Sequence, residues 1–234
     1  MRMNYKAITA SVVASAALLF AAAPQDATEG DAHKHAPPVG GAHKEKGHKN
    51  AGAVIGHPAP EFTLTGVDGK TYNLADYKGS TVVLEWFCST CPVSGGGDGS
   101  YWGSGSASKT IAGVKAADPS AVYLSINSTK DGHQGKTSAE EGAASAAVIT
   151  KAGQTVPMLV DADGKVGHAY GAKTTPHVFI VDGTGTVVYI GAPASDDGAT
   201  NYIVNAVTAL KAGKPVEPST TKNKGCGIKY AKGQ

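Results

Sequence analysis

The sequence has almost no arginine: one residue, Arg2, among 234. Past the first few positions no guanidinium fork exists to clamp a phosphate, a carboxylate or a developing oxyanion. Nor is there an excess of either charge. Removing Arg2 and Lys6 from the 21 basic residues leaves 19, which equals the 19 acidic ones. Nucleic acid and anionic membrane surfaces both call for a basic field, so neither is expected as a partner. Beyond residue 23 no apolar run approaches the roughly 20 residues needed to span a bilayer. Cysteine is scarce too, with three residues, Cys88, Cys91 and Cys226. The 31 glycines follow no collagen-like period and read as turns.

What is present divides the chain into four parts. Residues 1–23 open with Arg2 and Lys6, continue without charge from Ala7, and end in Ala21, Ala22 and Ala23. This is the pattern of a secretory signal peptide, and it implies an exported, periplasmic or extracellular protein, with the leader itself as the one route to membrane anchoring. Residues 24–52 are Ala, Gly, Pro, Lys and His with almost no large apolar side chain, which predicts a disordered tether. His33, His35, His43 and His48 lie in it at irregular spacing, so a solvated linker is the better reading than a metal-binding tract. Residues 53–214 have the texture of one globular domain, and 215–234 form a polar C-terminal tail carrying Cys226.

Within the domain, short apolar runs at Phe62–Leu64, Thr71–Leu74, Thr81–Phe87, Ala121–Ile126 and Met158–Val160 read as strands. Val178–Val181 and Thr186–Ile190 flank Asp182-Gly183-Thr184-Gly185 as a hairpin. Ser138–Ala152 starts Ser-Ala-Glu-Glu, a capped helix start, and Thr200–Ala212 carries apolar residues at helical spacing before Gly213 and Pro215. Strands alternating with helices, then a hairpin and a last helix, give an α/β fold with some antiparallel pairing.

Several lookalike motifs fail on spacing. Gly69-Lys70-Thr71 and Gly135-Lys136-Thr137 lack the first glycine of a phosphate loop, since Leu64 and Lys130 stand there. Asp161-Ala162-Asp163-Gly164 lacks the ligand ladder and closing Glu of a calcium loop and reads as a turn. No cofactor and no resident metal are expected. Glu85 is either a buried carboxylate with a raised pKa that assists proton transfer near the thiols or, more commonly for such a charge, a strand-end carboxylate facing water; it is given no role.

The chemistry sits in Cys88-Ser89-Thr90-Cys91-Pro92, directly after the apolar strand ending Trp86-Phe87. A helix starting near Pro92 would put both thiols at the positive end of its dipole, an arrangement that favours a thiolate. Proline suits that first turn. A Cys-x-x-Cys pair between a buried strand and a helix start is a redox motif more than half a zinc site, because Cys226 is the one cysteine left over.

These residues, taken together, resemble a known family. Gly56-His57-Pro58-Ala59-Pro60-Glu61-Phe62, Asp68-Gly69-Lys70, Tyr77-Lys78-Gly79 and the Cys-x-x-Cys-Pro segment are similar to the opening of the thioredoxin-like redoxins, the group that includes alkyl hydroperoxide reductase and thiol-specific antioxidant proteins. Thr174-Thr175-Pro176-His177-Val178-Phe179-Ile180-Val181-Asp182 resembles their later strand. The resemblance implies a thioredoxin-like fold, a central mixed sheet flanked by helices, with Pro176 as a cis proline facing the cysteines. It also implies thiols and disulfides of proteins or small molecules as partners, with a separate upstream redox partner.

Two departures stand out. Thioredoxins attack with the first cysteine of the pair, here Cys88, and resolve with the second, here Cys91; peroxiredoxins attack peroxide from the second position, Cys91, but with a threonine where Cys88 stands and with an arginine that this chain lacks. Gly95–Ser108, rich in Gly and Ser, stands where the family's first active-site helix would run; each interior glycine costs a helix about 1 kcal/mol, so that helix is expected to be short, displaced or interrupted by a loop. Three functional readings are compatible with these residues. The first is an exported thiol-disulfide oxidoreductase using Cys88 and Cys91. The second is a thiol-dependent peroxidase with Cys91 as the peroxidatic cysteine. The third, not an enzyme, is a Cu(I) carrier using Cys88, Cys91 and a histidine such as His177. Cys226 is either a resolving thiol that folds back on the site or an unpaired tail cysteine.

Overall fold

The computed structural model describes residues 52–231; the leader, the His-rich segment before residue 52 and the last three residues lie outside it. In chain order the strands are β1 (Thr63–Gly66), β2 (Thr71–Asn73), β3 (Val82–Trp86), β4 (Val122–Asn127), β5 (Met158–Val160), β6 (Thr174–Thr175), β7 (His177–Val181), β8 (Val187–Gly191) and β9 (Cys226–Gly227). The helices are α1 (Ser106–Ala117), α2 (Ser138–Lys151), α3 (Lys165–Tyr170) and α4 (Tyr202–Lys211). Seven strands form one mixed sheet in the order β2-β1-β5-β4-β3-β7-β8, with β4 parallel to β3 and β5 and the remaining pairs antiparallel. β6 and β9 make a separate two-stranded pair.

Every residue of β3 is buried, which is why it reads as an unbroken apolar run rather than an alternating one. Val83 and Phe87 point toward a layer containing α1, α2 and α4, where they meet Ile111, Val114, Ile149 and Ile203. Val82, Leu84 and Trp86 point to the opposite layer, built from α3 and the N-terminal segment, where Tyr170 and Phe62 cover them. The site therefore hangs on the carboxyl end of the most deeply buried strand.

The helix starts follow local chemistry. α2 begins with a capping box one residue before the expected start: the Thr137 hydroxyl accepts from Glu140 N at 3.2 Å, and Glu140 Oε2 accepts from Thr137 N at 2.7 Å. In α4 the Asn201 side-chain oxygen Oδ1 accepts from Val204 N at 3.0 Å. The hairpin turn between β7 and β8 is tied by Asp182 Oδ1, which accepts from Thr184 N and Thr186 N at 2.9 and 3.0 Å. α3 escapes detection in the sequence because six residues between Gly164 and Gly171 are too few to establish a period.

One expectation is overturned. No helix begins near Pro92; residues 88–105 run as successive turns, and the first helix starts at Ser106, behind Gly105 at φ 78°. In these turns a Cβ at Gly95 would collide with the Phe87 ring, and one at Gly96 would be tight against the Cys91 backbone. The N–H groups of Ser94, Gly95 and Gly96 instead converge on the Cys91 carbonyl at 3.1, 2.9 and 2.7 Å.

Candidate active site

Cys88 and Cys91 are 8% and 4% exposed, Cys226 is half-buried, and all three are free thiols. They line one cavity of about 280 Å³, shared with Thr129, His133 and Lys229. The two thiols of the motif sit in different electrostatic settings. Burial pushes the Cys91 thiol up, but the neighbouring Cys226 thiol, the Thr175 side chain and the backbone amides of Ser94 and Val93 outweigh that and hold it below the ordinary thiol range. When protonated, its Sγ donates to the Thr175 carbonyl at 3.2 Å. Backbone amides thus do here what a helix start was expected to do.

Cys88 is held the other way. Burial pushes it up, a hydrogen bond with Thr90 works against that, and the neighbouring Glu141 carboxylate raises it again. Cys88 Sγ donates to Glu141 Oε1 at 3.4 Å, and the same oxygen accepts from Ser89 N at 3.0 Å and Ser89 Oγ at 2.7 Å. Its other oxygen is 3.5 Å from the ammonium group of Lys136. Glu141 is 2% exposed and belongs to the first turn of α2, which carries it under the motif. Sequence reasoning missed Glu141. The capping box at Thr137 and Glu140 marks the helix start, but only the tertiary fold brings its next residue to Cys88.

On the far side of the cavity, the Thr175–Pro176 peptide is cis, and Thr175 is paired in register with Cys226. Cys226 is pushed up to about 11, first by burial and then by its hydrogen bond to Cys91 and the charge there.

Other residues singled out in the sequence lie elsewhere. His177 points into the layer opposite, against Phe179, and its Nδ1 accepts from Lys173 N at 3.2 Å; burial pushes it down to about 4. It does not join the thiols, and among the described residues no three His, Cys, Asp or Glu side chains gather to hold a metal ion. Glu85 does not face water. It is fully buried and accepts from Trp102 Nε1 at 3.1 Å and from the Tyr123 hydroxyl at 2.8 Å. The His-rich segment falls outside the described residues. A larger groove of about 850 Å³, between β1 and the starts of α2 and α3, contains no cysteine.

The chain matches a known family. The redoxin family profile matches residues 55–208, well over half of the chain. The chain belongs to the redoxin family. Among solved structures, this redoxin is similar to a hypothetical protein of Sinorhizobium meliloti 1021, at 26% identity over 77% of this chain and 96% of that one, with a TM-score of 0.63. It is also similar to an uncharacterized conserved protein of Geobacillus kaustophilus, at 27% identity over 77% of this chain and 94% of that one, again with a TM-score of 0.63. No curated protein matches it. The fold is thioredoxin-like, a mixed seven-stranded sheet flanked by helices.

Proposed function

We propose that this redoxin is an exported thiol-disulfide oxidoreductase in which Cys91 is the attacking thiol. The observation that carries the reading is the contrast inside the motif: the buried Glu141 carboxylate lies 3.4 Å from Cys88 Sγ, while Cys91 Sγ faces the Thr175 carbonyl at 3.2 Å with no carboxylate against it, and the two thiols are accordingly held above and below the ordinary range. The thiolate is the nucleophile in disulfide exchange, so the order implied by the thioredoxin resemblance, Cys88 first, is reversed. The Cys91 thiolate attacks one sulfur of a substrate disulfide and the other sulfur leaves as a thiolate. A second thiol of the site then displaces the substrate from Cys91. The protein is left oxidised, and an external dithiol restores it. Export rests on the leader pattern in residues 1–23.

The peroxidase reading uses the same sulfur. There Cys91 would attack a peroxide oxygen, become a sulfenic acid and expel a hydroxide or alkoxide. Stabilising that leaving oxygen is the task for which a fixed cationic donor is needed, and no arginine follows Arg2. Turnover of a small disulfide and of hydrogen peroxide with the same dithiol reductant tests the assignment. Disulfide exchange is expected to be the faster. Fast peroxide consumption that survives Cys88→Ser and disappears in Cys91→Ser would make the protein a peroxidase.

A further inference from the structure

The residues after α4 are not a loose tail. Ser219 and Thr221 run beside β8: Ile190 N donates to Ser219 O at 3.0 Å and Thr221 N to Ile190 O at 3.1 Å. The Thr221 hydroxyl also accepts from Ala192 N at 2.9 Å and shares a 2.6 Å hydrogen bond with the Tyr189 hydroxyl. Beyond Cys226 the chain is fastened again. Ile228 N donates to Lys173 O at 3.0 Å, Lys130 N to Lys229 O at 2.8 Å, and the Tyr230 hydroxyl to Ala172 O at 2.8 Å. The Tyr230 ring stacks on His168 with centroids 4.1 Å apart. Between the two anchors, Gly225 lies so close to the Thr175 carbonyl that a Cβ there would collide with it. That close approach lets β9 pair with β6, places Cys226 opposite Thr175, whose carbonyl is 3.2 Å from Cys91 Sγ, and brings both cysteines onto one cavity. The entropy of ordering a long tail, the main obstacle to a bridge so distant in sequence, is already met by contacts that do not involve sulfur.

We propose that Cys226 is the resolving thiol for Cys91, so that the oxidised protein carries a Cys91–Cys226 disulfide. This rests on the oxidoreductase reading above and names the second thiol it requires. In the first step Cys91–S⁻ attacks a substrate RS–SR′, forming Cys91–S–SR and releasing R′S⁻. In the second, Cys226 gives up its proton and attacks the Cys91 sulfur; the Cys91–S–SR bond breaks and RS⁻ leaves, protonated in turn. Two protein thiols are oxidised and one substrate disulfide is reduced to two thiols.

The surroundings make the order self-timing. Besides burial, Cys226 is kept protonated by its hydrogen bond to Cys91 and by the charge on that sulfur. Both disappear once Cys91 is in the mixed disulfide. Cys88 gains no comparable release, because the Glu141 carboxylate stays beside it whatever happens at Cys91.

The test is to mix the reduced full-length protein with glutathione disulfide, alkylate at intervals and map the non-reduced peptides. Wild type and Cys88→Ser are expected to give the Cys91–Cys226 bridge. Cys226→Ser is expected to accumulate glutathione on Cys91 and to clear it more slowly by about tenfold or more. Gly225→Val keeps every thiol and is expected to show the same accumulation, because its side chain drives β9 off β6. A Cys88–Cys91 bridge with a free Cys226 in wild type, or wild-type clearance in Cys226→Ser, would overturn the inference while leaving the oxidoreductase reading in place. Absence of glutathione from Cys91 in every variant would overturn that reading itself.

Discussion

Burial, with the Glu141 carboxylate beside it, holds the Cys88 thiol above the ordinary range. Glu141 Oε1 is shared among the Cys88 thiol, the Ser89 amide and the Ser89 hydroxyl, so the charge is fixed beside Cys88 rather than free to swing. Burial disfavours a thiolate, and the like charge adds to the effect. Glu141→Gln keeps an oxygen for the two Ser89 donors and removes the charge; Lys136, which is 37% exposed, can turn to water. In a Cys91→Ser, Cys226→Ser background, titration by thiolate absorbance is expected to show Cys88 ionising at lower pH in Glu141→Gln than with Glu141 intact. An unchanged midpoint would mean that burial alone sets it. Neither Glu141 nor the Thr175 carbonyl could be chosen from sequence, since each acts through a tertiary contact spanning more than 50 residues.

Among the elements, the Gly-rich stretch between Cys91 and α1 departs most from expectation. Its composition already argued against a helix, but not for what replaces it. Residues 88–105 are pinned by Trp102, which is 1% exposed, packs at a tilt against Phe87 with centroids 5.4 Å apart and donates to Glu85. β3 and β4 are tied to the same carboxyl group through Tyr123. Burial pushes Glu85 from the ordinary 4.5 up to about 7, against the lowering effect of its hydrogen bonds from Tyr123 and Trp102. Below pH 4.5 the group is protonated whether the chain is folded or not, and it carries no charge penalty. Between pH 4.5 and 7 the unfolded chain has released the proton and the folded one has not, so stability falls as pH rises, by a total of roughly 3 kcal/mol above pH 7. Denaturant unfolding of wild type and Glu85→Gln at pH 5 and pH 8 checks this. The loss between the two pH values is expected to be smaller in Glu85→Gln, and an equal loss in both proteins would assign it to other groups.

At the scale of the whole molecule, the sheet and the hairpin were legible because buried strands announce themselves as β-branched and aromatic runs bounded by turn residues; β3, β4, β5, β7 and β8 all fall within a residue or two of the expected runs. The C-terminal segment was not, because nothing in Gly225-Cys226-Gly227 specifies a partner strand, and β6, the strand that receives it, is two residues long. Its placement turns a two-cysteine motif into a three-thiol site closed from both ends of the domain, with α2 supplying the charge on one side and the tail supplying the third sulfur on the other. In the proposed oxidoreductase, that asymmetry makes Cys91 the point of attack. The most direct test is the position of the first covalent adduct: reduced protein is mixed with a substoichiometric aromatic disulfide at pH 7, quenched within milliseconds by acid and mapped by mass spectrometry. The account predicts that the first adduct is on Cys91, whereas an adduct that appears first on Cys88, with Cys91 still unmodified, would contradict it.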